Sequence, residues 1–293
     1  KSKIEGSSKL NSTYIETNAK LDLQRAVLLH QSGELAQAGT IYKRVLETDP
    51  ENSDALHLLG LVFHQSGQFT TAVKLIKRAL KVSPNQPDFL FNLANALRES
   101  GQFEEAVQVY RKVIEFKSES AEVYNSLGIS LSKLNLLEEA IRVYQHAIRF
   151  DPKYVPTYNH MGISFAELGQ FDKAMSVCKK AIELDHYNYE AYNTLGNIYT
   201  ELGQLENGLR AYQKALDLNP CIAKLHFNFA NVLKLKGKLE ESVVAYKRSI
   251  VLNPSYSEAY YNLGTLLQKQ GKLEESVVVY HKAIVINPNY AEV

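Results

Sequence analysis

The chain has 293 residues, of which 45% are hydrophobic and 22% are charged, and its formal net charge is +1. This composition is typical of a folded protein and excludes a disordered one, and the charge provides no electrostatic basis for binding nucleic acid. No apolar run approaches the roughly 20 residues that a membrane-spanning helix needs, so we expect no membrane insertion.

The chain contains two cysteines, Cys178 and Cys221. Two are too few for a disulfide framework, and both occupy positions where a small or apolar residue would serve. We therefore expect two buried free thiols. Free thiols fit a reducing compartment, which predicts a cytoplasmic location.

Residues 1–18 are polar and rich in serine. This composition is typical of a linker or a flexible arm, and we expect no element of the fold there.

From residue 19 onward the sequence repeats with a period of 34 residues, and proline recurs near the end of most repeats. The period defines eight repeats, which span 19–52, 53–86, 87–120, 121–154, 155–188, 189–222, 223–256 and 257–290. Self-similarity at this period predicts an array of stacked units in place of a single compact core.

Each repeat predicts two helices joined by a short turn. Position 15 of the repeat is glycine in seven cases and Asn135 in the eighth, and both residue types end helices in the left-handed conformation. Positions 8 and 20 are always small, so two helices can cross closely there. The proline closes the second helix. With no strand pattern anywhere, the predicted fold class is all-α, a solenoid of about eight helix–turn–helix units.

These columns resemble the tetratricopeptide repeat (TPR) family. The segments AYYNLGTLLQKQGKLEESVVVYHKAIVINP of repeat 8 and AYNTLGNIYTELGQLENGLRAYQKALDLNP of repeat 6 are close to that family's pattern, and the likeness covers residues 19–290. The resemblance implies a right-handed superhelix in which the first helices line a concave groove. It also implies a role in binding proteins.

Residues 291–293 match the beginning of a repeat, so we expect them to start a further helix that is truncated. The second helix of repeat 8 carries apolar residues such as Val277, Val278 and Val285 with no polar helix after it. Arrays need polar terminal units, which predicts that the chain continues or that this end is covered by another copy or by a partner.

The sequence offers no pattern for catalysis or for a cofactor. It contains no phosphate-binding glycine loop, no Cys-x-x-Cys and no His-Glu-x-x-His, so we expect no metal site, no cofactor and no catalytic residues. Paired glutamates recur in the first turn of the second helices, where they suit the positive end of the helix. We therefore predict that this chain is not an enzyme, although it could be a non-catalytic part of one.

A stripe remains on the first helices at positions 2, 5, 6, 9, 12 and 13, opposite the apolar face, and it is rich in asparagine at positions 5, 6 and 9. Its asparagines are Asn92, Asn95, Asn125, Asn159, Asn193, Asn197, Asn228, Asn231 and Asn262, and its aromatic residues are Phe91, Phe227 and Tyr261. An amide both donates and accepts, so such a ladder could hold the backbone of an extended peptide. Some of these residues could instead serve folding.

We interpret the chain as a protein-interaction scaffold that binds an extended peptide or a partner segment in this groove. Family members that bind the carboxylate tails of chaperones use Lys or Arg at positions 2, 5 and 6 together with asparagines. In this chain positions 5 and 6 carry no Lys or Arg, so we do not expect that binding mode. The alternative is the substrate-recognition region of a larger glycosyltransferase, because the stripe resembles the repeats of O-linked N-acetylglucosamine transferases. In such an enzyme the catalytic domain would lie outside this chain.

Overall fold

A computed structural model of the chain describes residues 20–116 and 119–292, and all regular elements in this part are helical. The expected linker at 1–18 lies outside the described residues. The helices are α1 (residues 20–31), α2 (Leu35–Thr48), α3 (Ser53–Gln65), α4 (Phe69–Val82), α5 (Pro87–Glu99), α6 (Phe103–Phe116), α7 (Ala121–Lys133), α8 (Leu137–Phe150), α9 (Val155–Glu167), α10 (Phe171–Leu184), α11 (Tyr189–Glu201), α12 (Leu205–Leu218), α13 (Ala223–Leu235), α14 (Leu239–Leu252), α15 (Ser257–Lys269) and α16 (Leu273–Ile286), followed by a short 3-10 helix (Pro288–Glu292).

The helices form consecutive pairs, as the fold-class prediction requires. Odd-numbered helices occupy the first part of each repeat and even-numbered helices the second. The chain divides into two compact halves, residues up to Pro152 and residues from Lys153 onward. Within each half, a second helix packs both on its own first helix and on the first helix of the next pair. Each half is thus a stack of helix pairs.

The turn between the two helices of a pair has the predicted left-handed residue. Gly203 has φ +69°, and Asn135, which replaces glycine in repeat 4, has φ +59°. A glycine adopts this conformation without a steric penalty, and asparagine tolerates it better than other residues do. The prediction for position 15 is therefore confirmed.

The small residue at position 8 allows the close crossing that the sequence predicts. A Cβ atom added to Gly196 would lie 2.7 Å from Cε1 of Tyr212, and one added to Gly264 would lie 2.8 Å from Cδ1 of Tyr280. In each case the tyrosine at position 24 of the second helix lies directly on the backbone of the first helix. Tyr212 is only 2% exposed, so it is a core residue of its pair.

The expectation for the cysteines is half right. Cys178 is fully buried in α10, and burial raises the pKa of its thiol to about 12, so it is not a ready nucleophile. Cys221 is exposed, which contradicts the expected burial. It lies in the turn between α12 and α13, where the chain runs along the surface.

The second helix of repeat 8 leaves much apolar surface uncovered. Val277, Val278 and Val285 are each more than 60% exposed. After this helix, the chain forms the short 3-10 turn, and Tyr290 stacks on Tyr261 of α15 with ring centroids 4.9 Å apart. No helix in the described part of the chain is long and apolar enough to cross a membrane.

Candidate functional site

The asparagines at position 9 hold the buried tyrosines at position 24. The hydroxyl of Tyr110 donates to Oδ1 of Asn95 at 2.6 Å, and that of Tyr212 donates to Oδ1 of Asn197 at 2.5 Å. Tyr246 donates to Oδ1 of Asn231 in the same way. Burial raises the pKa of Tyr110, Tyr212 and Tyr246, so these hydroxyls keep their protons and remain donors.

The residue at position 9 varies together with the residue at position 24. Where position 24 lacks a hydroxyl, as at Ile76 and Cys178, position 9 is apolar, with Leu61 and Ile163. In repeats 1 and 4 position 9 is also apolar although position 24 is a tyrosine. The hydroxyl of Tyr42 instead lies 3.5 Å from Nδ1 of His30, and that of Tyr144 lies 3.3 Å from that of Ser132. This pairing gives the position-9 asparagines a structural role, which the stripe pattern alone does not reveal.

The hydrogen bond from the position-24 tyrosine also determines which end of the position-9 amide remains available to a ligand. A tyrosine hydroxyl that donates can bind only the oxygen of the amide, so Nδ2 points away from it. Among the described residues, Nδ2 of Asn95, Asn197 and Asn231 has no acceptor within hydrogen-bonding distance. These three side chains therefore present oriented N–H donors.

Positions 5 and 6 form pairs between neighbouring repeats. Nδ2 of Asn228 donates to Oδ1 of Asn193 at 3.0 Å, and Nδ2 of Asn92 donates to Nε2 of His57 at 2.9 Å. Burial lowers the pKa of His57 to about 4, although Asp88 nearby acts in the opposite direction, so the ring is neutral and can accept this bond. The stripe is thus partly a set of hydrogen bonds that joins one repeat to the next.

Two predicted groove residues are buried. Asn125 and Asn159 are each 5% exposed. Nδ2 of Asn159 donates to Asn188 and, at 2.7 Å, to Glu190, while Nδ2 of Asn188 returns a bond of 2.8 Å to Oδ1 of Asn159. Both amide ends of Asn159 are occupied within the protein. The last asparagine of the set, Asn262, accepts from Nζ of Lys234 at 3.1 Å.

The aromatic residues at position 5 are half-buried and packed against tyrosines. The ring of Phe227 lies 5.9 Å from Tyr246 and 4.9 Å from Tyr256. Tyr261 lies 5.7 Å from Tyr280 and also stacks on Tyr290. Phe91 similarly lies 6.2 Å from Tyr110. One edge of each ring contributes to the core, and the exposed remainder is the part that could contact a ligand.

An open cavity lies along the stripe in the C-terminal half. It has a volume of ≈ 620 Å³ and is lined by residues of α9 and α11, with Lys224 of α13 at one side. A smaller recess of ≈ 210 Å³ shares Ile163, Asn193, Thr194 and Lys224 with it, so the two form one continuous groove. Two predicted residues, Asn193 and Asn197, line the larger cavity.

The other nine lining residues were absent from the predicted set, and four of them have exposed apolar or charged side chains: Ile163, Glu167, Glu201 and Lys224. Ile163 is 40% exposed on a helix face that is otherwise polar. The sequence carries a signal for it, because Ile163 occupies position 9 in a repeat whose position 24 is a cysteine. Glu167 and Glu201 share position 13 of neighbouring repeats and place two carboxylates at one wall.

The groove combines oriented amide donors, an exposed aliphatic side chain and two carboxylates. Such a surface can bind a chain by its backbone and by a few side chains, and it needs no covalent chemistry. Within the described residues, no group of three or more His, Cys, Asp or Glu side chains is placed to hold a metal ion.

Models of the tetratricopeptide repeat match most of the chain. One TPR-repeat model matches residues 60–98, 94–135 and 230–271, and three tetratricopeptide-repeat models match 41–74, 121–154, 155–187, 189–220 and 257–290. A search of curated protein sequences found no match. The family models describe the repeat itself, so the expected likeness to the repeats of O-linked N-acetylglucosamine transferases stays a prediction.

Solved structures show the same fold. The Cut9–Hcn1 APC/C hetero-tetramer aligns over 94% of this chain and 54% of that chain, with a TM-score of 0.66 and 18% identity. MamA residues 41 to the end, from Desulfovibrio magneticus RS-1, aligns over 58% of this chain and 96% of that chain, with a TM-score of 0.56 and 22% identity. At these identities the likeness shows the fold alone. The helix pairs, the repeat columns and the family matches together establish that the chain belongs to the tetratricopeptide repeat family.

Proposed function

We propose that the chain is a protein-interaction scaffold, and that the groove of its C-terminal half binds an extended segment of a partner protein. The observation that supports this proposal most directly is the hydrogen bonding and the position of the Asn197 side chain. Its carbonyl oxygen is occupied by Tyr212, while its Nδ2 lies at the wall of the ≈ 620 Å³ cavity. A donor held in this way loses little freedom on binding a backbone carbonyl, which favours affinity.

The cavity also favours particular side chains in the partner. Ile163 and Ala166 offer apolar contact, and burying an aliphatic side chain there is favourable. Glu167 and Glu201 are both exposed and favour a Lys or Arg. The expected ligand is an extended peptide in which an aliphatic residue lies close to a basic one.

The proposed function is binding and not catalysis. No residue of the groove is proposed as a nucleophile or as a general acid or base. The carboxylates at position 13 belong to different repeats and act as charges that attract a basic side chain.

A selection from a random peptide library, displayed on phage and applied to the whole chain, tests this proposal. Enriched peptides should carry an aliphatic residue and a Lys or Arg within a few positions of each other. The variant E167Q/E201Q should lose the preference for the basic residue and bind enriched peptides about tenfold more weakly, since about 1.4 kcal/mol of charge interaction is removed.

The matched control is E47Q/E115Q, which removes two exposed carboxylates from the outer faces of α2 and α6 and should leave binding unchanged. Both variants replace exposed side chains, so thermal melting should not separate them. Peptides with no shared pattern, or equal binding by the two variants, would contradict the proposal.

The same groove would serve an enzyme that selects its protein substrates through a repeat array. The observation that favours this alternative is the ordered stripe of repeats 6 and 7, where Asn193 pairs with Asn228 and Asn197 accepts from Tyr212. A glycosyltransferase domain in the same polypeptide, and glycosylation of selected peptides by the whole protein, would support it. Binding of those peptides without any transfer would leave the scaffold function alone.

A further inference from the structure

The outer faces of α14 and α16 differ from those of the other second helices. Positions 22 and 29 carry polar or charged residues in repeats 1 to 6, namely Thr40, Glu47, Lys74, Lys81, Gln108, Glu115, Arg142, Arg149, Ser176, Glu183, Arg210 and Asp217. In repeats 7 and 8 all four are valine, and Val244, Val251, Val278 and Val285 are 61–68% exposed. We call these four residues the valine patch.

The exposure of the valine patch does not come from a missing neighbour in the stack. Helix α14 is followed by a further pair, α15 and α16, and packs on α15. Val244 and Val251 nevertheless remain exposed, because positions 22 and 29 point away from the stacking faces. The equivalent residues of α16, Val278 and Val285, occupy the same outward positions. This surface is therefore distinct from the apolar end of the array.

The charges around the valine patch follow one order on both helices. In α14 the exposed Glu240 and Glu241 precede Val244, and the exposed Lys247 and Arg248 follow it. In α16 the exposed Glu274 and Glu275 precede Val278, and His281 and Lys282 follow it. Each helix thus has an acidic first turn and a basic third turn, about 10 Å apart along the axis.

This order is complementary to itself when two helices run antiparallel. With Val244 of one copy against Val278 of another, Glu240 and Glu241 face Lys282 and His281. Lys247 and Arg248 then face Glu275 and Glu274. A two-fold axis repeats the same contacts with the two copies exchanged, as an isologous dimer interface requires.

We infer that the outer faces of α14 and α16 form a self-association surface, through which two copies of this chain pair antiparallel about a two-fold axis. A large exposed apolar patch with a polar rim marks an interaction site. An anionic membrane would require a basic excess, and a strongly charged partner would require one sign of charge, whereas this rim carries both signs. A second copy is the occupant that matches it.

A recess beside the valine patch offers further apolar surface for contact with a second copy. Val244 borders a cavity of ≈ 720 Å³ between α12 and α14, whose apolar lining includes Leu216, Phe229 and Leu233. The cavity opens on the outer side of the array, away from the asparagine stripe. Self-association through this face therefore leaves the groove of the proposed function accessible and does not depend on that function.

Sedimentation velocity of the full chain over a range of concentrations, up to roughly 100 µM, tests the inference, because functional homodimers usually form below this range. The wild-type chain should change from monomer to dimer as the concentration rises. V244E/V278E should raise the dissociation constant at least about tenfold, since the two substituted carboxylates meet each other at the apolar centre of the interface. R142E, at position 22 of repeat 4, is the matched control and should dimerise as the wild type does.

A charge exchange distinguishes this pairing from any other dimer. E240K/E241K and H281E/K282E should each fail to self-associate, because like charges meet at both contacts. Mixed together, the two variants should form a heterodimer, because opposite charges meet again. A wild-type chain that stays monomeric, a dimer that V244E/V278E leaves unchanged, or charge variants that fail to complement each other would overturn the inference.

Discussion

At the residue scale, some asparagines of the stripe bond within the fold and others have N–H groups without an acceptor. The sequence does not distinguish the two kinds. The side-chain oxygens of Asn95, Asn197 and Asn231 each accept from a buried tyrosine, and among the described residues their Nδ2 groups have no acceptor. In Asn92 and Asn228, Nδ2 instead donates to a residue of the preceding repeat, His57 and Asn193 respectively. Identical side chains on one helix face thus differ in what they can offer a ligand.

The tyrosine–asparagine bond predicts a coupled pair of substitutions. Asn197→Ala should lower the free energy of unfolding by about 1–3 kcal/mol, because the hydroxyl of buried Tyr212 loses its acceptor. Tyr212→Phe should cost about 0.5–1.5 kcal/mol, and the double variant should cost less than the sum of the two. Urea denaturation measures all three, with Asn207→Ala on the exposed face of α12 as the control. If the two single substitutions lowered the free energy of unfolding additively, Asn197 and Tyr212 would not be coupled by this hydrogen bond.

The buried histidine predicts a pH dependence of stability. Burial holds the pKa of His57 at about 4, below the ordinary value near 6.5, so the unfolded chain takes up the proton first as the pH falls. The free energy of unfolding should therefore fall between about pH 6.5 and 4, by up to about 3 kcal/mol. Thermal denaturation across this range measures the effect.

His57→Asn is the matched variant, because it recreates at this place the Asn193–Asn228 pair of repeats 6 and 7. This variant should reduce the pH dependence of the free energy of unfolding. A part of that dependence should remain, because burial also lowers the pKa of His64. A His57→Asn profile equal to that of the wild type would show that His57 does not titrate as the burial implies.

At the element scale, a few residue types define each helix pair. Glycine or Asn135 ends the first helix, and a small residue at position 8 permits the close crossing. The residue at position 24, a tyrosine in six of the eight repeats, packs at that crossing. Because these requirements are local or recur at a fixed period, the fold was predictable from the sequence alone. Because the same residue types recur every 34 residues, the helices begin and end at the same positions in successive repeats.

The turn residue predicts a graded response to substitution. Gly203 has φ +69°, so Gly203→Val should destabilise the chain by about 1–2 kcal/mol through the left-handed conformation of a β-branched residue. Gly203→Asn should cost less, since Asn135 adopts φ +59° at the same position. No atom lies within 4 Å of the site for a Cβ, so sterics with neighbours do not interfere. Equal costs for the two variants would be inconsistent with this account.

The groove was less predictable than the fold, for a physical reason. Whether an amide is available depends on its hydrogen-bond partners, and these lie 15 residues away for Asn197 and 35 residues away for Asn228. A stripe pattern within one helix contains no such information. Ile163 was missed because the stripe was defined by polarity, although its pairing with Cys178 marks the one repeat of the C-terminal half where position 24 has no hydroxyl.

At the scale of the whole molecule, the C-terminal half carries two separate surfaces. The groove lies along α9, α11 and α13, and the valine patch lies on the outer side of α14 and α16. We propose that the groove binds an extended peptide with an aliphatic and a basic residue, and that the valine patch binds a second copy of the chain. A dimer would present two grooves, and two linked sites raise the apparent affinity for a partner with two binding segments.

The side-chain amide spectrum of the whole chain tests the central claim most directly. On titration with a selected peptide, the Nδ2 resonances of Asn197 and Asn193 should shift, because these amides line the cavity and have N–H groups to donate. The Nδ2 resonance of Asn207, on the exposed face of α12, should not shift, because this residue does not line the groove. Shifts at Asn207 with none at Asn197 would contradict the account.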